Sequence, residues 1–292
     1  MRNVFNQLKQ WSVTAERLKL TPAIIEKLAD YAPAAIDNEK LVEVYTFLYD
    51  VDGMKISGFL AVPKHAKRSL PVVIFNRGGT GDYGLVPKGR LFTRIAEIAK
   101  WGYVVVGTQY PGNALSEGVD ERGGSSDLKS VLALQALVEV LDIADETRIG
   151  MFGESRGGMM TYLAMQKVNW IKGAVTVGGL ANLQRSLLLR PEMKQVFKES
   201  FGGTKDGIVS RSVVSWSDTI YPTPLCIIHG GDDDTVSPYD SLELATKLQD
   251  KKHTYELHIV QGGNHGMTNK SMVRDSITRR WFDIYVKGER DD

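Results

Sequence analysis

The stretch Thr147-Arg148-Ile149-Gly150-Met151-Phe152-Gly153-Glu154-Ser155-Arg156-Gly157-Gly158 decides the fold. An apolar run ends in the pattern G-x-S-x-G. That pattern places a serine on a sharp strand-to-helix turn and lifts its hydroxyl out at the top of a sheet. Glycines beside it suit the turn, because a Cβ there would crowd the backbone. So short a pattern recurs by chance, and the downstream residues give it weight. Asp233 lies in His229-Gly230-Gly231-Asp232-Asp233-Asp234-Thr235-Val236, and His265 lies in Gly262-Gly263-Asn264-His265-Gly266. Serine, aspartate and histidine therefore follow in the chain order expected of a triad built on such an elbow.

Around the elbow the texture is that of a doubly wound α/β sheet. Val72–Phe75, Tyr103–Gly107, Arg148–Phe152, Gly173–Val177, Leu225–His229 and Tyr255–Val260 are short, β-branched apolar runs. Such runs suit parallel strands covered on both faces. Helical stretches separate them at Leu91–Lys100, Asp127–Leu141, Arg156–Lys167, Ser237–Asp250 and Thr268–Val286. Strand and helix in alternation predict a mostly parallel sheet with right-handed crossovers. Residues 180–222 are too long for one crossover helix and are read as a mostly helical cap insertion over the site.

Upstream the period changes. Val42, Val44, Thr46 and Leu48 alternate, as do Ile56, Gly58, Leu60 and Val62, with Asp52-Gly53 between them. This predicts a hairpin of two antiparallel edge strands. Residues 1–37 read as an amphipathic helical segment through Leu8, Trp11, Leu18, Ile24, Ile25 and Leu28, with Pro22 opening a second helix. The segment is expected to pack on the core. Pocket closure and a homodimer contact are its other readings. Residues 38–292 are then the catalytic domain.

Composition adds limits. The chain has 292 residues, 42% hydrophobic, with a formal net charge of +1. That balance gives no reason to expect nucleic acid or an acidic membrane surface as a partner. Its one cysteine, Cys226, cannot form an internal disulfide. Met1–Trp11 has no apolar signal-like core, and no window approaches the roughly 18 to 20 apolar residues of a membrane span. A cytoplasmic protein without a membrane segment is the expectation.

Acyl transfer requires a nucleophile, a base and donors for an oxyanion. Ser155 is the candidate nucleophile and His265 the candidate base. Asp233 orients the base, although Asp232 and Asp234 adjoin it and only one of the three can face the histidine. The other histidines have plainer readings. His65 sits in a basic loop with Lys64, Lys67 and Arg68, His253 in a polar turn, His258 within a strand, and His229 beside the acid loop, where it could support it. The backbone N–H of Arg156 is the first oxyanion donor, at the start of a helix whose dipole favours negative charge. The second is expected from Asn76-Arg77-Gly78-Gly79, through the N–H of Arg77. The aspartate run lacks the spacing of a calcium loop, so no metal is expected. Gly79-Thr80-Gly81-Asp82-Tyr83-Gly84 mimics a dinucleotide fingerprint, but no helix opens directly after it and the next strand ends without an acid. No cofactor is expected.

At these residues the sequence resembles the catalytic domain of the prolyl oligopeptidase family of α/β-hydrolases, from about residue 40 to 287. Gly153–Gly158 matches its nucleophile motif. His229-Gly230-x-x-Asp233-x-x-Val236 matches its acid motif, a register that selects Asp233. His265-Gly266 matches its histidine motif, and Gln109-Tyr110-Pro111-Gly112 with Ser116-Glu117-Gly118 resembles its loop after the fourth strand. The resemblance implies an α/β-hydrolase fold and a serine hydrolase acting through an acyl-enzyme on a small ester or a short peptide. Two departures matter. The family's peptidases usually carry a β-propeller, and this sequence shows no repeat, which favours esters. Arg77-Gly78-Gly79 stands where members often place His-Gly-Gly or a tyrosine segment, so the second oxyanion donor is main chain. The competing expectation is a catalytically silent hydrolase-like protein that binds a ligand or partner.

Overall fold

The computed structural model describes residues 3–66 and 69–289. Lys67 and Arg68, part of the basic loop around His65, lie outside the described residues, as do Met1, Arg2 and 290–292.

In chain order the elements are α1 (Val4–Trp11), β1 (Thr14–Leu18), α2 (Pro22–Tyr31), α3 (Ala34–Leu41), β2 (Val42–Val51), β3 (Met54–Pro63) and β4 (Leu70–Asn76). Next come α4 (Lys88–Arg90), a π turn over Leu91–Ile95 that runs into α5 (Ala96–Lys100), β5 (Val104–Thr108), α6 (Ser125–Leu132), α7 (Leu134–Val140), β6 (Ala144–Glu154), α8 (Arg156–Lys167) and β7 (Ile171–Val177). The C-terminal third holds α9 (Leu183–Leu189), α10 (Met193–Phe201), α11 (Lys205–Ser210), β8 (Leu225–Gly230), α12 (Pro238–Asp250), β9 (Tyr255–Val260) and α13 (Ser271–Phe282).

The described strands form one sheet in the order β1-β2-β3-β5-β4-β6-β7-β8-β9. β1 to β3 run antiparallel, β3 pairs antiparallel with β5, and every pairing from β5 to β9 is parallel. The β2–β3 hairpin turns on Asp52 and Gly53, both left-handed at φ 52° and 82°, as a two-residue turn of the primed type requires. Asp50 Oδ1 accepts the Gly53 N–H at 3.0 Å and fixes the turn.

One difference from the sequence reading stands at the N-terminus. Thr14–Leu18 is a strand rather than helix, and it pairs with β2 from Thr14↔Leu48 to Leu18↔Val44. The hairpin, expected as two edge strands, therefore lies inside the sheet between β1 and β5, and β1 is the edge. The reason is tertiary. The open edge of β2 supplies backbone partners, beginning with the Leu48 carbonyl that accepts the Val13 N–H at 2.7 Å, and an Arg17–Glu43 ion pair crosses the strands. α1 then lays Leu8, fully buried, on the sheet. Phe5 stacks on Tyr45 and Trp11 on Tyr49 at centroid distances of 5.9 and 5.4 Å.

Each face of the sheet has its own core. One gathers Tyr49, Leu60, Ile74, Val106, Leu134, Met160 and Leu244 under α1, α6, α7, α8 and α12. The other gathers Phe59, Phe75, Phe92, Phe152, Cys226, Trp281 and Phe282 under α3, α5 and α13. Cys226, the chain's single cysteine, is buried in this second core. The segment from α9 to α11 is tied down by Arg211, which donates to the carbonyls of Glu121 and Arg122 at 3.0 Å each. Arg122 in turn donates to Val196 O and Ser200 Oγ. Because β4 to β9 are parallel, the loops after β4, β6, β7, β8 and β9 leave the sheet at one edge, where such folds place their ligands.

Candidate active site

Ser155 follows β6 directly and takes φ 55°, ψ −118°, a conformation costly for any residue with a Cβ. The surroundings hold it there. Its N–H donates to Val177 O at 2.9 Å, and its carbonyl accepts from Gly158 and Leu180. The motif glycines are steric requirements. A Cβ on Gly153 would sit 2.1 Å from Gly157 O, and one on Gly157 would sit 1.9 Å from Asn76 O. The elbow is thereby pressed against the end of β4.

Asp233 and His265 meet after β8 and β9. His265 Nδ1 donates to Asp233 Oδ2 at 2.7 Å. Asp233 Oδ1 accepts the N–H groups of Thr235 and Val236, each at 2.9 Å. His229, fully buried at the end of β8, lies with Nε2 3.1 Å from Asp233 Oδ2 and 3.0 Å from Val236 O. Its Nδ1 faces Ser241 Oγ at 2.6 Å. One neutral tautomer satisfies all three contacts: Nε2–H donates to the two oxygens, and the Ser241 hydroxyl donates to Nδ1. Burial pushes the Asp233 carboxyl up, but the hydrogen bonds from His229 and His265 outweigh it and hold the group well below the usual carboxylate range. With its Nδ1–H engaged in the hydrogen bond to Asp233, His265 presents Nε2 as an acceptor, and its side chain is about a quarter exposed (26%). Ser155 Oγ makes no hydrogen bond among the described residues. Gly178, after β7, packs under the pair: a Cβ there would lie 3.1 Å from Asp233 Oδ2 and 3.2 Å from His265 Nδ1.

The loop after β4 closes the other side. A Cβ on Gly78 would lie 3.2 Å from Ser155 Cβ and 3.0 Å from Glu154 O, so this loop rests on the elbow. The Arg77 side chain is fully buried. Its guanidinium donates to Gln109 O at 2.7 and 3.1 Å, to Gly78 O at 3.0 Å and to Gly81 O at 3.3 Å, and Tyr110 Oη donates back to Arg77 O at 3.0 Å. Burial draws this guanidinium down to about 10.

Arg156 is as deeply engaged. Its guanidinium clasps both oxygens of Asp120 at 2.6 and 2.9 Å, reaches Asp127 Oδ2 at 2.7 Å and Gly79 O at 3.2 Å, and lies 4.5 Å from the centroid of the Tyr110 ring. Burial raises the Asp120 carboxyl, yet Arg156 overrides it and holds the group down to about 2. The residue after the nucleophile thus pins the Gly-rich rim and the loop at 110–127 to the elbow. From the sequence, Arg77 and Arg156 are expected to act only through their N–H groups. The buried roles of their side chains, of Asp120 and Asp127, and of Ser241 beside His229, carried no local signal.

This arrangement defines the class: a serine on a strained elbow and an Asp–His pair, all at the carboxyl edge of an α/β-hydrolase sheet. Residues 90–288 match the model of the prolyl oligopeptidase family, and the chain belongs to that family. It is a serine hydrolase. The "Uncharacterized peptidase YtmA" of Bacillus subtilis (strain 168) is 28% identical over 214 residues, covering 71% of this chain and 80% of the relative. Acylaminoacyl peptidase from Pyrococcus horikoshii superposes with a TM-score of 0.75 at 22% identity, over 90% of this chain and 45% of that one. This chain thus spans under half the length of that structure. Acetyl xylan esterase 1 from Thermoanaerobacterium sp. JW/SL YS485 superposes with a TM-score of 0.64 at 15% identity, over 97% and 91% of the two chains. At these identities the two structures share the fold with this chain. Among the described residues no helix is long and apolar enough to cross a membrane.

Proposed function

We propose that this protein hydrolyses small carboxylic esters or short peptide or amide bonds through an acyl-enzyme. Ser155 Oγ attacks the carbonyl carbon and His265 Nε2 takes its proton. The tetrahedral oxyanion is held by the N–H groups of Arg156 and Arg77. Collapse expels the leaving group, which carries away the proton from His265. Water then repeats the sequence in reverse and releases the acid. Asp233 keeps the Nδ1 proton of His265 in place and stabilises the imidazolium that forms. The observation that carries this reading is the 2.7 Å contact of His265 with Asp233, beside a serine at φ 55° on the same sheet edge. The family supports hydrolysis, and its neighbours in fold include a peptidase and an esterase, so both bond types belong in the proposal.

The reading extends to the organisation of the chain. Residues 1–37 pack on the core, 38–292 form the catalytic domain, and the cap at about 180–222 shapes the pocket. The protein works in the cytoplasm, in keeping with its one unpaired cysteine.

The test is hydrolysis of p-nitrophenyl esters from acetyl to octanoyl, beside aminoacyl and dipeptidyl nitroanilides, by wild type and Ser155→Ala. Ester turnover lost in the variant establishes an esterase, and nitroanilide turnover lost in it a peptidase. No turnover, with no labelling of Ser155 by a fluorophosphonate, rejects the proposal for a silent binding protein.

A further inference from the structure

The two strained segments of the site are joined by a chain of buried and half-buried ions that the mechanism above does not use. Glu154, immediately before Ser155, is buried (7% exposed) and receives two guanidiniums. Arg90 Nη2 donates to its Oε2, and Arg94 Nε to its Oε1 at 3.2 Å. Arg94 passes on to α13, where Nη1 donates to Asp275 Oδ1 at 2.7 Å. Arg274 grips the same carboxylate, with Nε to Oδ1 at 2.8 Å and Nη2 to Oδ2 at 3.3 Å. Its remaining nitrogen, Nη1, donates to Gly266 O at 3.0 Å. Gly266 follows His265 and is left-handed at φ 73°, and Met267 after it is left-handed at φ 57°. A non-glycine residue in that region persists only where its surroundings over-determine it.

The chain of contacts therefore starts one residue before the strained serine and ends one residue after the candidate base. Three guanidiniums face two carboxylates. Burial raises Glu154, but Arg94 and Arg90 hold it ionised, below the usual carboxylate range. Arg94 also lies over the Phe152 ring, 4.9 Å from its centroid, within the strand that carries the serine.

We infer that Glu154, Arg94, Asp275 and Arg274 form a positioning strut that sets the His265 loop relative to the Ser155 elbow. The inference rests on the reading of that site as the catalytic one. The strut touches no substrate and moves no proton. It fixes the geometry across which the proton of Ser155 travels, where a misplacement of about 1 Å costs on the order of 100-fold in rate.

The experiment uses the full chain with Glu154→Gln, Arg274→Gln and the double variant. It reads kcat and KM on p-nitrophenyl acetate, the rate of fluorophosphonate labelling, and amide exchange of the peptide covering 262–270. Each single variant is expected to lose roughly 10- to 100-fold in kcat with KM within about twofold. The double variant should fall no further than the worse single one, because both cut one chain. Glu154→Gln should also speed exchange at 262–270 by roughly threefold or more, although among the described residues the Glu154 carboxylate pairs with Arg90 and Arg94 and not with that loop. If the two losses multiply, or if exchange at 262–270 does not change in Glu154→Gln, the strut is rejected. Where Glu154→Gln unfolds, Asp275→Asn, at a side chain 24% exposed, cuts the same chain and takes its place in every readout. An unlabelled wild type would reject the catalytic reading instead, and the exchange measurement still decides whether the two loops are coupled.

Discussion

His229 Nε2 lies 3.1 Å from the carboxylate oxygen of Asp233 that also receives His265 Nδ1. Two imidazoles thus converge on one oxygen, one buried and structural, the other at the open face of the site. The arrangement leaves Asp233 no freedom to rotate, since its second oxygen is held by Thr235 and Val236 N–H groups.

Asp233→Asn should therefore damage catalysis more than folding. With its oxygen kept toward the Thr235 and Val236 N–H groups, the amide turns its NH₂ toward both imidazoles and favours the wrong tautomer of His265. A fall of about 10³- to 10⁴-fold in kcat is expected, with KM little changed, as for triads in which the acid becomes an amide. Steady-state kinetics on p-nitrophenyl acetate, with thermal unfolding as control, checks it.

Removing Arg156 should act on stability. Arg156→Gln leaves Asp120 and Asp127 facing each other without their cation, in a site where Arg156 is only 2% exposed. Breaking a buried pair in this way costs about 3 to 5 kcal/mol. The loss should be larger at pH 7 than at pH 5, because protonation relieves two uncompensated carboxylates. Urea unfolding of both proteins at the two pH values reads the difference.

Asp240 gives a pH dependence of the opposite kind. Burial pushes its carboxyl up to about 6, against the Asn182 N–H and Arg185 that hold it down. Its folded value thus lies above that of an unfolded aspartate, near 3.8. The native state binds the extra proton, so stability is fully present below about pH 4 and is lost as pH rises through about 6. Asp240→Asn does not titrate. Its stability relative to wild type should improve on going from pH 4 to pH 7, by about 1 to 3 kcal/mol. Chemical unfolding midpoints across that range would sink the idea if the two curves stay parallel.

The N-terminal segment offers a test of packing. Leu8 is fully buried under α1, among the residues that cover β2. Leu8→Ala should destabilise the whole domain by about 2 to 4 kcal/mol in a single cooperative transition. If α1 were a loose appendage, calorimetry would show an unchanged main transition.

The legibility of the fold in the sequence varied with the range of the forces involved. The β-branched runs and the helical stretches gave the parallel strands and crossovers, since both follow from local burial. The Asp52-Gly53 turn is local too. β1 was missed because Thr14-Ala15-Glu16-Arg17-Leu18 has no alternating apolar pattern and none of its residues is buried. Its extended form comes from the edge of β2, not from its own side chains. At the site, Ser155, Asp233 and His265 stand out because each sits in a glycine-rich stretch at a strand end, and the match to the resembled family's acid motif selects Asp233 over Asp232 and Asp234. Contacts between residues far apart in the chain, such as Arg94 with Asp275 or Arg156 with Asp120, follow from the packing of helices on the sheet. No local period encodes them.

The buried cysteine of the second core has a practical consequence. Cys226 is the chain's only thiol and has no exposed surface. Burial also raises its pKa, which keeps it the unreactive protonated form. A thiol reagent can therefore modify only molecules in which β8 has come away from the sheet. The labelling rate in buffer, without denaturant, becomes a one-atom clock for the opening of the native state, and it runs whether or not a substrate is ever found.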